Sequence, residues 1–328
     1  SEGEYKLIYS VKKEIIMGKY LIKRILIMIP VFFGITILVF FLTNMTPGSP
    51  VDAMITPEMN VEDIEALYTK MGLDKPLYVQ YFKWLERLLQ GNLGYSYRTN
   101  TAVTSVIGER VGPTLLLTGC VLLISVIIGL ILGVLAAYKP YSIWDYLASG
   151  LSFIGAGVPN FFLALVFIYL FSVKLRILPT GGMYTNANTS NFWDIAKHMV
   201  LPTFVMCISM VGSYIRQTRS AMLEVLGEEY IKMARAKGMR EKSVLLIHAL
   251  RNAMLPIATA IGMSVPILVG GAEQVFGWPG MGSLMVISVN YRDYPVIMGV
   301  TIYITLTVMI VNILMDIVYA WLDPRVRN

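Results

Sequence analysis

The chain has 328 residues, 56% of them hydrophobic and only 15% charged, whereas a soluble domain carries about 25% charged residues. The net charge is +6, but the basic residues flank apolar runs instead of forming one patch, so nucleic acid is not an expected partner. Cys120 and Cys207 both fall inside apolar runs and are not placed to act as an exposed pair, so no disulfide framework or metal site is indicated.

Six runs lack Lys, Arg, Asp and Glu altogether: Ile25–Met45, Pro113–Tyr138, Tyr146–Val173, Met199–Ile215, Asn252–Ala272 and Tyr294–Met315. A hydrocarbon core of about 30 Å needs about 20 residues of helix. In lipid the backbone must satisfy its own hydrogen bonds. The runs therefore predict an all-α polytopic membrane protein with six transmembrane helices. With the N-terminus inside, 17 of the 27 Lys and Arg lie on the inner side, eight of them in Arg216–Arg251. Six of the other ten sit in the long segment Thr46–Gly112, where they count weakly, so both termini are expected in the cytoplasm.

In chain order, residues 1–24 form an inner arm. Its first sixteen residues are polar and unpatterned, and Met17 reads like a natural start. The first span, 25–45, is too long for a signal peptide and has no small-residue cleavage site after it. The segment 46–112 then reads as a small folded helical unit on the outer side. Asn60 is placed to cap a helix over Val61–Met71, with Asp63 in the third position and Gly72 as its stop. Pro76 opens a second helix over Leu77–Gln90, with Tyr78, Phe82, Leu85 and Leu89 on one face and Gly91 as its end. Two readings stand for this unit: a platform for a partner protein, or a lid packed on the spans.

The remainder, 113–321, is a five-helix core with spans near 113–138, 146–173, 199–215, 252–272 and 294–320, followed by a tail, 322–328. In the second span Gly129, Gly133 and Ala137 recur every four residues, a spacing that lets helices approach closely. Val158-Pro159 kinks the third. The fifth carries Gly262, Pro266 and Gly270 at the same spacing, and Pro256 and Pro266 each remove a backbone donor. Such a broken helix is tolerated against protein or a water-filled cavity. Gly262, Pro266 and Gly270 are therefore candidates to line a path, with a simple packing kink as the other reading.

The loop 216–251 carries the most specific signal. Met222, Leu226, Tyr230 and Ala234 recur at intervals of four, as on an amphipathic helix. Ala234 and Ala236 keep its surface thin, Gly238 ends it, and Arg235, Lys237 and Arg240 ring that end, where cations favour the helix dipole. Such a tip fits a groove in another protein, or lies on anionic lipid.

The sequence Glu229-Tyr230 through Ala234-Arg235-Ala236-Lys237-Gly238, with Leu255-Pro256 downstream, resembles the signature loop of ABC-transporter permease subunits. Lys232-Met233-Ala234 stands where the general signature has Glu-Ala-Ala, and the distance to Leu255-Pro256 is longer. Both departures resemble the dipeptide and oligopeptide importer variant, its first-permease (B-type) subunit. Thr46-Pro47-Gly48-Ser49-Pro50, Gly91 to Ser96, Glu273 to Gly282 and Leu322-Asp323-Pro324-Arg325 add to that resemblance, which runs from Met17 almost to the end.

The resemblance implies a type I ABC importer permease fold, in which residues 229–238 form a coupling helix seated in an ATPase subunit. It also implies a homologous second permease, two ABC ATPase subunits and an extracytoplasmic substrate-binding protein. The setting would be the bacterial or archaeal inner membrane, and the substrates dipeptides, longer peptides, glutathione or nickel chelates. The chain has no G-x-x-x-x-G-K-[ST] loop, so ATP and Mg are expected on the partner ATPases and no cofactor on this chain. No catalytic set is evident. An ion-coupled secondary transporter is the competing class. Such proteins generally need ionisable groups inside the membrane; the six runs hold none, and the nearest candidate, Asp316, sits about two turns from the inner end of the sixth helix.

Overall fold

The computed structural model of the chain describes residues 2–45, 49, 51, 55, 58–186, 191–269 and 274–322. Among these it contains twelve α-helical segments. Five helices are long and apolar enough to cross a membrane: Ile22–Met45, Val103–Tyr138, Phe192–Leu226, Glu241–Pro266 and Tyr294–Leu322. The remaining apolar stretch is a helix pair, Ile143–Gly157 and Asn160–Lys174, bent by 101°, which counts as a sixth span when the pair crosses as one and otherwise as a re-entrant loop. The bend falls at Pro159, which caps the second half without a side-chain bond, and the residue before a proline is pushed out of helical geometry. The expected kink is thus a sharp break. The chain divides into two compact units, residues 1–112 with 280–309 and residues 113–279 with 310–328.

The first unit holds helix α1 (Glu2–Met45), α2 (Val61–Met71), α3 (Leu77–Leu89) and α11 (Met281–Asn290), with the adjoining ends of α4 (Val103–Tyr138) and α12 (Tyr294–Leu322). The backbone of α1 is helical from Glu2, so the arm continues the first span instead of standing apart. Asn60 and Asp63 form a reciprocal capping box on α2, and Gly72 closes it in the left-handed conformation, φ 70°. Helix α3 ends the same way at Gly91, φ 76°. Its packing face differs from the expected one. Tyr81 and Trp84 are buried, joining Phe40, Met298 and Ile302 in one cluster, while Tyr78, Phe82 and Leu89 are each more than 60% exposed. The apolar arc is wider than its packed half.

The second unit is organised around α7 (Phe192–Leu226), which is buried along most of its length. Helix α4 crosses it where side chains are smallest. A Cβ on Gly129 would overlap Cβ of Tyr214, and one on Gly133 would lie 2.5 Å from Cβ of Thr218. Helix α5 (Ile143–Gly157) approaches as closely, Gly155 meeting the Ile208 carbonyl and Gly212 the Ser152 backbone. The four-residue spacing of small side chains in the second span thus marks a true close crossing. α6 (Asn160–Phe167) continues as a π-helix over Ile168–Lys174. The loop after the fifth span drives Trp278 into the core, fully buried, with its Nε1 donating to the Pro113 carbonyl at 3.0 Å.

Candidate functional site

The expected 216–251 loop is mostly helix. α7 continues unbroken through Arg216 and Arg219 to Leu226. Gly227 and Glu228 then turn the chain into α8 (Glu229–Ala236). A single turn, α9 (Glu241–Ser243), leads through a π-helix (Val244–Ala249) into α10 (Leu250–Val269). The four-residue recurrence from Met222 to Ala234 therefore bridges two helices that meet at Gly227, and does not lie on one. π-Helical turns lie disproportionately at functional sites.

The inner face of α8 is its packed face. Ile231 and Ala234 are buried with Ala221, Met222, Val244 and Ile257 in one cluster. Ala234 thus fits α8 to its own chain, and does not thin an outward tip as its spacing suggests. The outward surface is Glu229, Tyr230, Lys232, Met233 and the run Arg235–Arg240, all exposed. Tyr230 is held there by Asn252, whose Nδ2 donates to the phenolic oxygen at 3.0 Å and to the His248 carbonyl at 2.7 Å.

The end of α8 is a Schellman closure. Met239 N–H donates to the Ala234 carbonyl at 3.3 Å and Gly238 N–H to the Arg235 carbonyl at 2.9 Å. This pairing of 6→1 and 5→2 bonds requires a left-handed residue between them, and Gly238 supplies it at φ 76°. The expected basic rim is divided. Arg235 is paired with Glu241 at 2.7 Å, which ties the end of α8 to α9. Lys237 and Arg240 have no salt bridge among the described residues, so the free positive charge is concentrated just past the cap. Leu255 is half-buried and Pro256 exposed on α10, whose Ala253 and Ile257 lie under α8.

Three supports of this site do not show in the sequence pattern. Arg219 makes a two-pronged ion pair with Asp145, at 2.7 and 3.0 Å, and Asp145 also accepts from Tyr141 N–H at 3.0 Å. Arg216 donates to the Ser152 carbonyl at 2.9 Å. Tyr214 and Ser264 share a buried hydrogen bond between α7 and α10. The only advance signal is a carboxylate opening one apolar run and an arginine just past another.

The candidate path residues are placed less uniformly. Gly262 is buried, and a Cβ there would lie 2.5 Å from Cγ of Met315. It therefore packs on the last helix of its own chain instead of facing open space. Met263, beside it, is 71% exposed, and Pro266 is half-buried. Gly270 lies outside the described residues, as do residues 46–48, 50, 273 and 323–325 of the segments that carry the resemblance. An apolar groove of about 840 Å³ runs along α4, α6 and α7, past Ile124, Phe167 and Phe204.

In the first unit, the loop Gly94–Tyr97 is pinned by Asp293. Its carboxylate accepts from Ser96 Oγ and from Tyr97 N–H, the latter at 3.0 Å. Burial pushes the Tyr97 phenol up to about 12, against the opposing pull of Arg87. Among the described residues no cluster of His, Cys, Asp or Glu could hold a metal ion.

Residues 129–328 match the family model of the binding-protein-dependent transport system inner membrane component, and residues 17–118 match that of its N-terminal part. The oligopeptide transport system permease protein AppB of Bacillus subtilis is 43% identical over 315 residues, 95% of this chain and 100% of that protein. The dipeptide transport system permease protein DppB of Escherichia coli K12 is 36% identical over 341 residues, 95% and 99% of the two chains. The inward-facing MetNI methionine ABC transporter shares the fold, with a TM-score of 0.52 at 18% identity, covering 67% of this chain and 97% of that one. The chain belongs to the binding-protein-dependent transport family of inner membrane components, in its dipeptide/oligopeptide ABC permease branch.

Proposed function

We propose that this chain is the pore-forming subunit of an ATP-driven peptide importer, and that the exposed end of α8 is where an ABC ATPase engages it. The peptide assignment is carried by relatives of peptide-permease name that match 95% of the chain. For the docking role the support is geometric. The Schellman closure fixes a short exposed tip, Ala236–Arg240, and behind it α8 is held by burial of Ile231 and Ala234. A push on the tip is therefore passed to α7 and α10, not absorbed in a loose loop.

In this reading the termini and α8 are cytoplasmic, in the inner membrane of a bacterium or archaeon. ATP and Mg are bound by two partner ATPases, and this chain is non-catalytic. A homologous second permease completes the path, with the apolar groove along α4, α6 and α7 as its contact or as a lipid-facing surface. A separate binding protein delivers substrate. The decisive experiment reconstitutes the chain with its partner subunits in proteoliposomes and compares ATP-dependent uptake of dipeptides, longer peptides, glutathione and nickel chelates. Uptake of peptides is expected. Uptake of glutathione or nickel chelate alone would move the assignment to those substrates, and uptake driven by an ion gradient without ATP would overturn it. Photolabelling of the isolated chain by an ATP analogue is expected to fail.

A further inference from the structure

We infer that the cavity between α2, α3, the Met45 end of α1 and the Tyr294 end of α12 is a binding site for a small organic anion, one carboxylate or phosphate group on a compact apolar body. All of it lies within the first unit. Its volume is about 520 Å³, and small-molecule pockets run from about 300 to 1,000 Å³. The floor is apolar: Phe40, Trp84 and Met298 line it and are buried. The rim is cationic: Lys70 of α2 and Lys83 and Arg87 of α3 line it and are exposed. None of the three cations has a salt bridge among the described residues. Among those residues no Asp or Glu lines the cavity.

Helical register sorts the charges. On α3 the residues lining the cavity are Gln80, Lys83, Trp84 and Arg87, and on α2 they are Leu67, Lys70 and Met71. Both sets follow the i, i+3, i+4 spacing of one helix face. Glu86 of α3 and Glu62, Asp63 and Glu65 of α2 are off the cavity, and Asp63 closes the α2 capping box. Lys83 and Arg87 stand one turn apart, a spacing at which like charges repel. An anion between them relieves that repulsion. The walls are held by the chain's own bonds. Gln80 Nε2 donates to the Lys75 carbonyl at 2.7 Å and fixes the turn between α2 and α3. Asn92 Oδ1 accepts from Gly94 N–H at 2.9 Å, and Asp293 holds the loop at Ser96 and Tyr97. Asp293 is off the cavity as well, and its single charge leaves the three cations in excess. Arg87 pulls the Tyr97 phenol down against burial, so its field reaches from α3 to that loop. A preformed site with a cationic rim over an apolar floor selects a charged group on an apolar body.

The test is calorimetric titration of the assembled, nucleotide-free transporter in phosphatidylcholine nanodiscs. The probes are N-acetyl-leucinate, its uncharged amide and phenyl phosphate. At least one of the two anions is expected to bind, with the amide weaker by about ten-fold or more, the scale of a charge-assisted hydrogen bond. Lys83→Gln with Arg87→Gln should weaken anion binding by a similar factor. Lys83→Arg with Arg87→Lys should keep most of the affinity, and Glu86→Gln, off the cavity, should leave it nearly unchanged. The charge-keeping pair keeps the test readable if neutralisation disturbs α3. Repeating the titration with phosphatidylglycerol in the discs separates the sources of the anion: competition assigns the site to a lipid phosphate, and undiminished binding assigns it to a soluble anion. Equal binding of acid and amide, anion binding that neutralising Lys83 and Arg87 leaves unchanged, or no binding of either anion overturns the inference.

Discussion

Gly238 offers the sharpest test of the α8 tip, because backbone and side-chain effects separate there. Its φ is 76°, and a Cβ built on it would have nothing within 4 Å. Substitution therefore meets no clash within the chain, and its cost is the left-handed backbone alone. That cost is about 1–2 kcal/mol for an ordinary residue, less for Asn, and more for a β-branched residue. A change of 1–2 kcal/mol shifts an equilibrium by about 5–30-fold, here between the closed cap and a frayed end. The expected order of transporter assembly and ATP-driven uptake is Gly, then Asn, then Ala, then Val. Membrane insertion and the unfolding midpoint of the spans should hold throughout, since Ile231 and Ala234 stay packed. Assembly is read by co-purification of the ATPases, and uptake in proteoliposomes. If Gly238→Asn fails as badly as Gly238→Val, bulk at the docking surface matters and the cap geometry does not. If Gly238→Val works normally, the docking role is wrong.

Other perturbations separate rigid contacts from yielding ones. Gly133→Ala should destabilise the second unit by about 1–3 kcal/mol, because its new Cβ meets Cβ of Thr218 at 2.5 Å; thermal unfolding in detergent checks this, and Thr218→Gly should restore part of the loss. Gly262→Ala meets only the flexible side chain of Met315, so it should cost less than about 1 kcal/mol and be silent in a Met315→Ala background. A larger loss there than at Gly133 would contradict the packing described. Arg219→Ala leaves the buried Asp145 carboxylate without its ion-pair partner. It should destabilise the unit by about 2–4 kcal/mol, discounted for the partial exposure of Arg219, and Asp145→Asn in the same chain should recover much of that.

The spans were legible because uncharged runs of helical length have few other solutions in a membrane protein. The stops of α2 and α3 were legible because Asn60, Gly72 and Gly91 act through bonds to their own neighbours. What escaped depends on partners far along the chain. The charges at Arg216 and Arg219 end an apolar run without ending a helix, because the Ser152 carbonyl and Asp145 receive them. The spacing of Tyr78, Phe82, Leu85 and Leu89 identifies an apolar face on α3, but the helix is apolar over a wider arc, and Phe40 selects the half that is buried. Ala234 shows the same limit at the candidate site. Its small size fits a docking tip and a close inner contact equally, and only the position of Ile257 and Val244 decides for the second.

These placements make α7, together with α10, a member through which the α8 tip bears on the rest of its unit. It is 35 residues long without a break, or about 52 Å at 1.5 Å per residue. Its contacts leave little slack. Gly129 and Gly133 of α4 lie against Tyr214 and Thr218, Gly155 of α5 lies against Ile208, and Ser264 of α10 bonds Tyr214. Close backbone approach of this kind has no flexible side chain to yield. A displacement passing from α8 into α7 meets the Asp145–Arg219 pair, about two turns before the end of α7. It continues as movement of α4, α5 and α7 together, because bending any one of them would overlap backbone atoms. The yielding contacts lie elsewhere, at Met315 against Gly262 and at the break before Asn160. Relative motion within the unit should therefore concentrate at those two places.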